Sequence, residues 1–177
     1  MNKNKRILYD LVPETYEEYL EYRNNIFMNH DQWVLDIFSG AREKDRVIYS
    51  DDKFILAINV LWDDKDLSQL SLLAFVKNVE LKTIRDLTQK DVPLLKYIIN
   101  TSYKIIENKY GIKESKIRSY FHYRPTTNIL HIHFNLVSNT NMNSSVEYSY
   151  SVWNVIENLN LDSDYYKKIT MMISRKL

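Results

Sequence analysis

The sequence predicts an α+β fold, an antiparallel sheet of about five or six strands with helices packed to one side. Two features carry this expectation. β-rich runs come in pairs joined by short polar turns, first RVIYS and FILAINVLW (46–50 and 54–62), then KIRSYFHYR and NILHIHFNLV (116–124 and 128–137), the pattern of hairpins in an antiparallel sheet. Helical patterns interrupt these runs instead of alternating with single strands, so a parallel βαβ arrangement is not expected. The 177 residues, 45% hydrophobic and 27% charged, suffice for one packed core.

Each element has a local signal. Thr15 followed by Glu18 is a capping box, and Tyr16, Tyr19, Leu20, Arg23, Ile26 and Phe27 keep helical spacing, which predicts an arm helix. A short helix is expected from Asp31, with Trp33, Val34, Ile37 and Phe38 on one face and Gly40 as its stop. The turn Asp51-Asp52-Lys53 closes the first hairpin, and the run 67–77 after Asp63 to Asp66 reads as a third strand. Thr88 with Asp91 opens a long helix. Pro93 suits its first turn, apolar pairs at 94/95, 98/99 and 105/106 line its inner face, and Gly111 ends it. Two strands then flank Pro125-Thr126-Thr127. The uncharged loop 138–145 reads as mobile, followed by a helix at 146–159 and a last strand near Lys168–Ser174. The expected plan is an arm with a helix over 1–29 and a folded unit over 30–177.

Composition excludes several function classes. A net charge of +1 supplies no bulk field for a long polyanion, so a DNA coat is not expected. With no cysteine there are no disulfides, thiolate metal sites or cysteine nucleophile. The first residues lack the apolar stretch of a signal peptide and no run is long enough to span a bilayer, so the expected location is cytoplasmic or nuclear, the host cytoplasm if the source is viral, with no membrane partner. Only Gly40 and Gly111 are present, which rules out glycine-rich phosphate loops and leaves side chains or helix ends to hold phosphate.

The chemistry gathers at His131 and His133. They alternate with Leu130, Ile132 and Phe134, so pleating puts both imidazoles on one face, and His122 lies on the neighbouring predicted strand. Taken alone, this pattern fits two half-buried histidines bonded to backbone, a functional pair, or a three-imidazole zinc site. For zinc the sequence offers no carboxylate cluster as supporting shell.

The run RSYFHYRPTTNILHIHFNL (118–136) resembles the active-site segment of the scavenger mRNA-decapping enzymes, a family of the histidine-triad superfamily, whose signature alternates histidine with apolar residues. Here Ile129 replaces the first histidine and Asn135 an apolar position. The segments 31–38, 84–98 and 155–162 carry the same likeness, which extends over about residues 30–175. The resemblance implies a histidine-triad sheet and hydrolysis of the triphosphate bridge of 7-methylguanosine caps, releasing 7-methyl-GMP through a covalent histidine intermediate. It implies His131 as nucleophile, His133 and His122 as phosphate-contacting histidines, and no metal or cofactor. It also implies Trp33 stacking on the methylated base and Glu43, ten residues on, accepting hydrogen bonds from its edge. Val60 would supply the second face of the base sandwich and Asn59 a ribose contact. Against the family pattern, Leu61 stands for a lysine and Tyr148 for an arginine. Arg124 is expected to replace the lost cations, and Thr126 matches a phosphate-loop serine.

Three functions follow as expectations: a cap-dinucleotide hydrolase, a cap-binding module without turnover, and a broader histidine-triad dinucleotide hydrolase. The expected partners are capped RNA fragments or cap dinucleotide and a second copy of the chain in a homodimer. In the family a large N-terminal domain closes over the substrate. With only the arm helix in its place, longer capped mRNA is expected to enter as well.

Overall fold

The computed structural model describes residues 9–25, 31–139, 146 and 148–176. The chain opens with β1 (Tyr9–Glu14), which the sequence reading leaves unassigned, and then turns at Thr15 into α1 (Tyr16–Asn24). The capping box forms: Glu18 N donates to Thr15 Oγ1 at 3.3 Å and Thr15 N to Glu18 Oε2 at 2.8 Å. Tyr19 and Arg23 are among the side chains that fix α1 to the rest of the molecule. The buried Tyr19 donates its hydroxyl to Asp86 at 2.7 Å, and Arg23 pairs with the same carboxylate at 2.9 Å. Positions 26 and 27 of the expected helix lie outside the described residues.

After α2 (Gln32–Phe38), Gly40 adopts φ 73°, a conformation that favours glycine and stops the helix as its position predicts. Then come β2 (Val47–Ser50), β3 (Phe54–Ile58), β4 (Ser71–Val76), α3 (Val92–Tyr110), β5 (Ile117–His122), β6 (His131–Leu136), β7 (Ser149–Ser151), α4 (Val152–Leu161), α5 (Tyr165–Lys168) and β8 (Met171–Lys176). β2 to β7 form one antiparallel sheet in the order β2-β3-β4-β6-β5-β7, and β1 pairs with β8 in a separate antiparallel ribbon. Pro13 fits a two-stranded ribbon because it lacks only a donor that such a strand can do without.

Several boundaries differ from the sequence expectation. The run 54–62 leaves the sheet at Ile58, because Asn59 to Trp62 turn back with Trp62 N donating to Asn59 O at 2.9 Å. Residues 67–69 form a helical turn before β4. The expected helix at 146–159 starts only at Val152, since residues 149–151 pair with the edge of β5. Backbone hydrogen bonding draws them there, and side-chain periodicity does not report it. Residues 140–145 of the polar loop lie outside the described residues.

The two faces of the sheet differ. Phe54, Leu56, Leu72, Ala74, Val76, Ile132 and Phe134 pack with Leu95, Ile98 and Ile99 of α3 and Val155 and Ile156 of α4 in the main core. The intervening residues of the same strands face the other way. There α2 covers one end, with Val34 against Phe75 and Ile129, and Ile37 against Ile55 and Ala57. One helix therefore lies on the face opposite α3 and α4, and His131 and His133 project from that face.

A fully buried arginine joins the ribbon to the sheet. Arg85 donates from Nε to Tyr123 Oη at 2.8 Å, from Nη1 to the carbonyls of Tyr166 at 2.8 Å and Ile169 at 3.0 Å, and from Nη2 to the carbonyl of Glu14 at 2.6 Å. The Glu14 carboxylate, itself buried, lies 3.4 Å from Arg85 Nε, accepts from the Tyr123 hydroxyl and pairs with Arg124 at 2.6 Å.

Candidate active site

Pleating decides which side chains meet. Ile132 and Phe134 enter the main core, so His131 and His133 project from the opposite face of β6. On antiparallel β5, Tyr120 stands opposite His133, and His122, two residues on, shares its face. The ring centroids of His131 and His133 are 5.0 Å apart, and those of His133 and His122 are 4.1 Å apart. The three histidines picked out in the sequence thus form one row. Aromatic rings enclose it: Tyr120 stacks on His133 at 5.1 Å and 13°, Phe75 lies 5.3 Å from His131, and Tyr148 lies 4.5 Å from His122.

His131 is oriented by one bond. Its Nδ1 lies 2.8 Å from the carbonyl oxygen of Ile129. A carbonyl only accepts, so Nδ1 carries the proton and Nε2 keeps the lone pair. Burial, with a smaller push from His122, lowers the His131 pKa to about 4, while the Ile129 bond works the other way. The ring is therefore neutral at pH 7, the state a nitrogen nucleophile needs. The His133 pKa lies well below the usual histidine value through burial and the two neighbouring imidazoles, and its buried Nε2 has no partner among the described residues.

This geometry explains one departure from the family pattern. Ile129 is buried beneath α2 beside Val34 and Phe75, and only its backbone oxygen addresses His131. Any residue can supply that oxygen. The missing histidine at 129 therefore leaves the orientation of His131 intact.

The remaining predicted site residues are spread around this row. Trp33, half-buried on α2, meets Phe75 edge-on at 5.5 Å and so stands one ring away from His131. Glu43 follows α2 with φ 51°, and its carboxylate makes no hydrogen bond or ion pair among the described residues. Asn59 is buried at the end of β3 and accepts from Leu61 N at 3.1 Å. Val60 and Leu61 form an exposed tip, 56% and 76% accessible. Thr126 is exposed on the 123–130 loop. Arg124 is turned to the arm: its Nε pairs with Glu14 and its guanidinium lies 3.9 Å from the centroid of the Tyr22 ring.

A cavity of about 290 Å³ continues the row beyond His133, bounded by Asn59, Tyr120, Asn135, Gln69, Asp63 and Asp66 among others. Amides and carboxylates without a lysine or arginine suit a neutral or cationic hydrogen-bonding group better than a phosphate. Among the described residues, no group of three or more histidine and carboxylate side chains is arranged to hold a metal ion. Sequence reasoning missed Tyr120, although its spacing of two from His122 places it on the same face of a strand. It also missed Tyr22 and Asn128, which no local pattern reveals.

The depressed histidines make stability depend on pH. Between pH 6.5 and 4 the unfolded chain binds protons that native His131 does not, so stability falls as pH falls through that window, by on the order of 3 kcal/mol for this ring. Urea unfolding at pH 7.5 and pH 4.5 measures the loss, which is expected to be smaller in a His131→Asn variant.

Comparison with known proteins places this geometry. The model of the family described as scavenger mRNA decapping enzyme C-term binding matches residues 32–147. The m7GpppX diphosphatase of Ascaris suum is 36% identical over 180 residues, covering 97% of this chain and 58% of that protein. The human m7GpppX diphosphatase is 31% identical over 172 residues, covering 91% of this chain and 50% of that protein. The chain thus spans about half the length of the curated relatives it matches. In three dimensions it resembles Hnt3 in complex with DNA and guanosine, with a TM-score of 0.52 and 18% identity over 77% of this chain and 80% of that one, which shows a shared fold.

Proposed function

Because this chain belongs to the scavenger mRNA decapping enzyme C-terminal family, we propose that it hydrolyses the triphosphate bridge of 7-methylguanosine cap structures. The observation that carries the proposal is the neutral His131 ring, held by the Ile129 carbonyl with its Nε2 lone pair free to attack. In this reading Nε2 bonds to the phosphorus nearest 7-methylguanosine, and the bridging P–O bond breaks to release a nucleoside diphosphate. Water then attacks the same phosphorus, the P–N bond breaks, and 7-methyl-GMP leaves with the ring restored. As the imidazole gains positive character, the Ile129 carbonyl accepts a stronger hydrogen bond from Nδ1, and His133 and His122 contact the phosphate oxygens as charge builds there.

Trp33 is the proposed stacking surface for the cationic base, with Val60 opposite, Glu43 at the base edge and Asn59 at the ribose. Its place one ring from His131 supports this reading. Thr126 and Arg124 are the proposed phosphate contacts, and for Arg124 that role requires exchanging Glu14 for phosphate. Two copies pairing as a homodimer, action in the cytoplasm or nucleus and admission of longer capped mRNA complete the proposal.

A cap-binding protein without turnover is the second reading. The exposed Leu61 at the family's lysine position and the engagement of Arg124 with Glu14 favour it. One experiment separates the readings: incubation with m7GpppG and with its unmethylated analogue, followed by chromatography of the products. The hydrolase reading expects 7-methyl-GMP and GDP from the methylated substrate, and slower cleavage of the unmethylated one. Binding without products supports the second reading, and equal cleavage supports a broader dinucleotide hydrolase.

A further inference from the structure

We infer that Asn128 is a positioning residue that sets the nucleophile against the Trp33 helix, and that Tyr22 of the arm helix holds it in place. The inference rests on the hydrolase reading and adds to it two residues that do not touch the reacting atoms.

Three hydrogen bonds meet at this point of the 123–130 loop. Asn128, buried, accepts from the Tyr22 hydroxyl at 3.0 Å through Oδ1 and donates its backbone N–H to Asp31 Oδ1 at 2.9 Å. The next residue is Ile129, whose carbonyl takes the His131 Nδ1 proton at 2.8 Å. Asp31 stands at the N-cap of α2, two residues before Trp33, yet its side chain does not cap its own helix. That carboxylate, 1% exposed, forgoes the usual cap bond to hold the loop. One residue therefore fixes the spacing between the ring that attacks and the helix carrying the indole proposed to grip the base.

Tyr22 is held from its other side as well. The Arg124 guanidinium lies over its ring at 3.9 Å, and Arg124 is itself clamped by the buried Glu14. The arm thus braces the loop through a phenol whose position is set by β1. A movement of about 1 Å at Asn128 is enough to break the bond that orients His131, and displacements of that size far from the chemistry cost up to about a hundredfold in rate.

The test uses the full chain with Tyr22→Phe, Asn128→Ala and the double variant, assayed with m7GpppG. Each single change is expected to lower kcat about tenfold, leaving KM and 7-methyl-GMP affinity within about threefold, because the Asn128 backbone N–H still holds Asp31. The double variant is expected to be no slower than either single one, since both remove the same bond. Long-range 1H–15N spectra of the His131 ring supply a readout that a purely structural role does not move. The wild type is expected to show only the Nδ1–H tautomer, and the variants a mixture with the Nε2–H form. A Tyr22→Phe protein with turnover within twofold of wild type and a locked tautomer overturns the inference. If the wild type cleaves no cap dinucleotide, the hydrolase reading fails, and the ring spectra still decide whether Tyr22 and Asn128 orient His131.

Discussion

Replacing His131 with asparagine is expected to lower m7GpppG turnover by at least about 10⁴-fold while 7-methyl-GMP still binds. The asparagine amide can fill part of the ring's volume and donate to the Ile129 carbonyl. It has no lone-pair nitrogen where Nε2 stands, so the covalent step is lost and nothing nearby replaces it. His133 does not take over, because no carbonyl orients its ring among the described residues as Ile129 orients His131. Steady-state rates together with equilibrium dialysis of 7-methyl-GMP check both halves of the prediction. Loss of binding along with turnover points to collapse of the site instead of loss of the nucleophile.

The largest stability effect is expected at Arg85, far from the histidines in role. Arg85→Leu strips hydrogen bonds from the carbonyls of Glu14, Tyr166 and Ile169 and leaves the buried Glu14 carboxylate with less compensating charge. Removing one member of a buried charge pair costs about 3–5 kcal/mol, which for a chain of this size lowers Tm by on the order of 10 °C. Glu14 keeps Arg124 and Tyr123 as partners, so the carboxylate is not wholly stranded. A Glu14→Gln change made in the Arg85→Leu background is therefore expected to destabilise less than it does in wild type, because the charge it removes has already lost one of its two cationic partners. Thermal unfolding of the four proteins measures this coupling.

The two predictions divide what was legible in the sequence from what was not. His131, His133 and His122 could be placed together because strand alternation and antiparallel neighbours are local patterns, and the row they form follows from them. The Thr15 box announced α1, the Thr88–Asp91 box the 3-10 turn over 89–91 that leads into α3, and Gly40 the end of α2. The β1–β8 ribbon was not legible: YDLVPE has no clean alternation, and its partner lies at the other end of the chain. Arg85 was equally hidden, since nothing in IRDL distinguishes a buried arginine with four acceptors from a solvated one. The cover of the histidine face by α2 also escaped prediction, because Ile55, Ala57 and Phe75 read as parts of continuous apolar runs. Such runs report that both faces of a strand are buried without saying what buries the second. At the site, Arg124 was expected to replace the cations missing at Leu61 and Tyr148, and the fold gives it Glu14 as a partner that sequence spacing of this length cannot foresee.

The central claim is that one oriented, uncharged imidazole forms a bond to phosphorus. The most direct test is to mix the protein with m7GpppG, quench at alkaline pH within the first turnover, and map by mass spectrometry where a 7-methylguanosine phosphoryl group is attached. The account predicts the adduct on the His131 ring of the wild type and none on the His131→Asn protein. An adduct on His133 or His122, or release of 7-methyl-GMP at the wild-type rate from the His131→Asn protein, contradicts it.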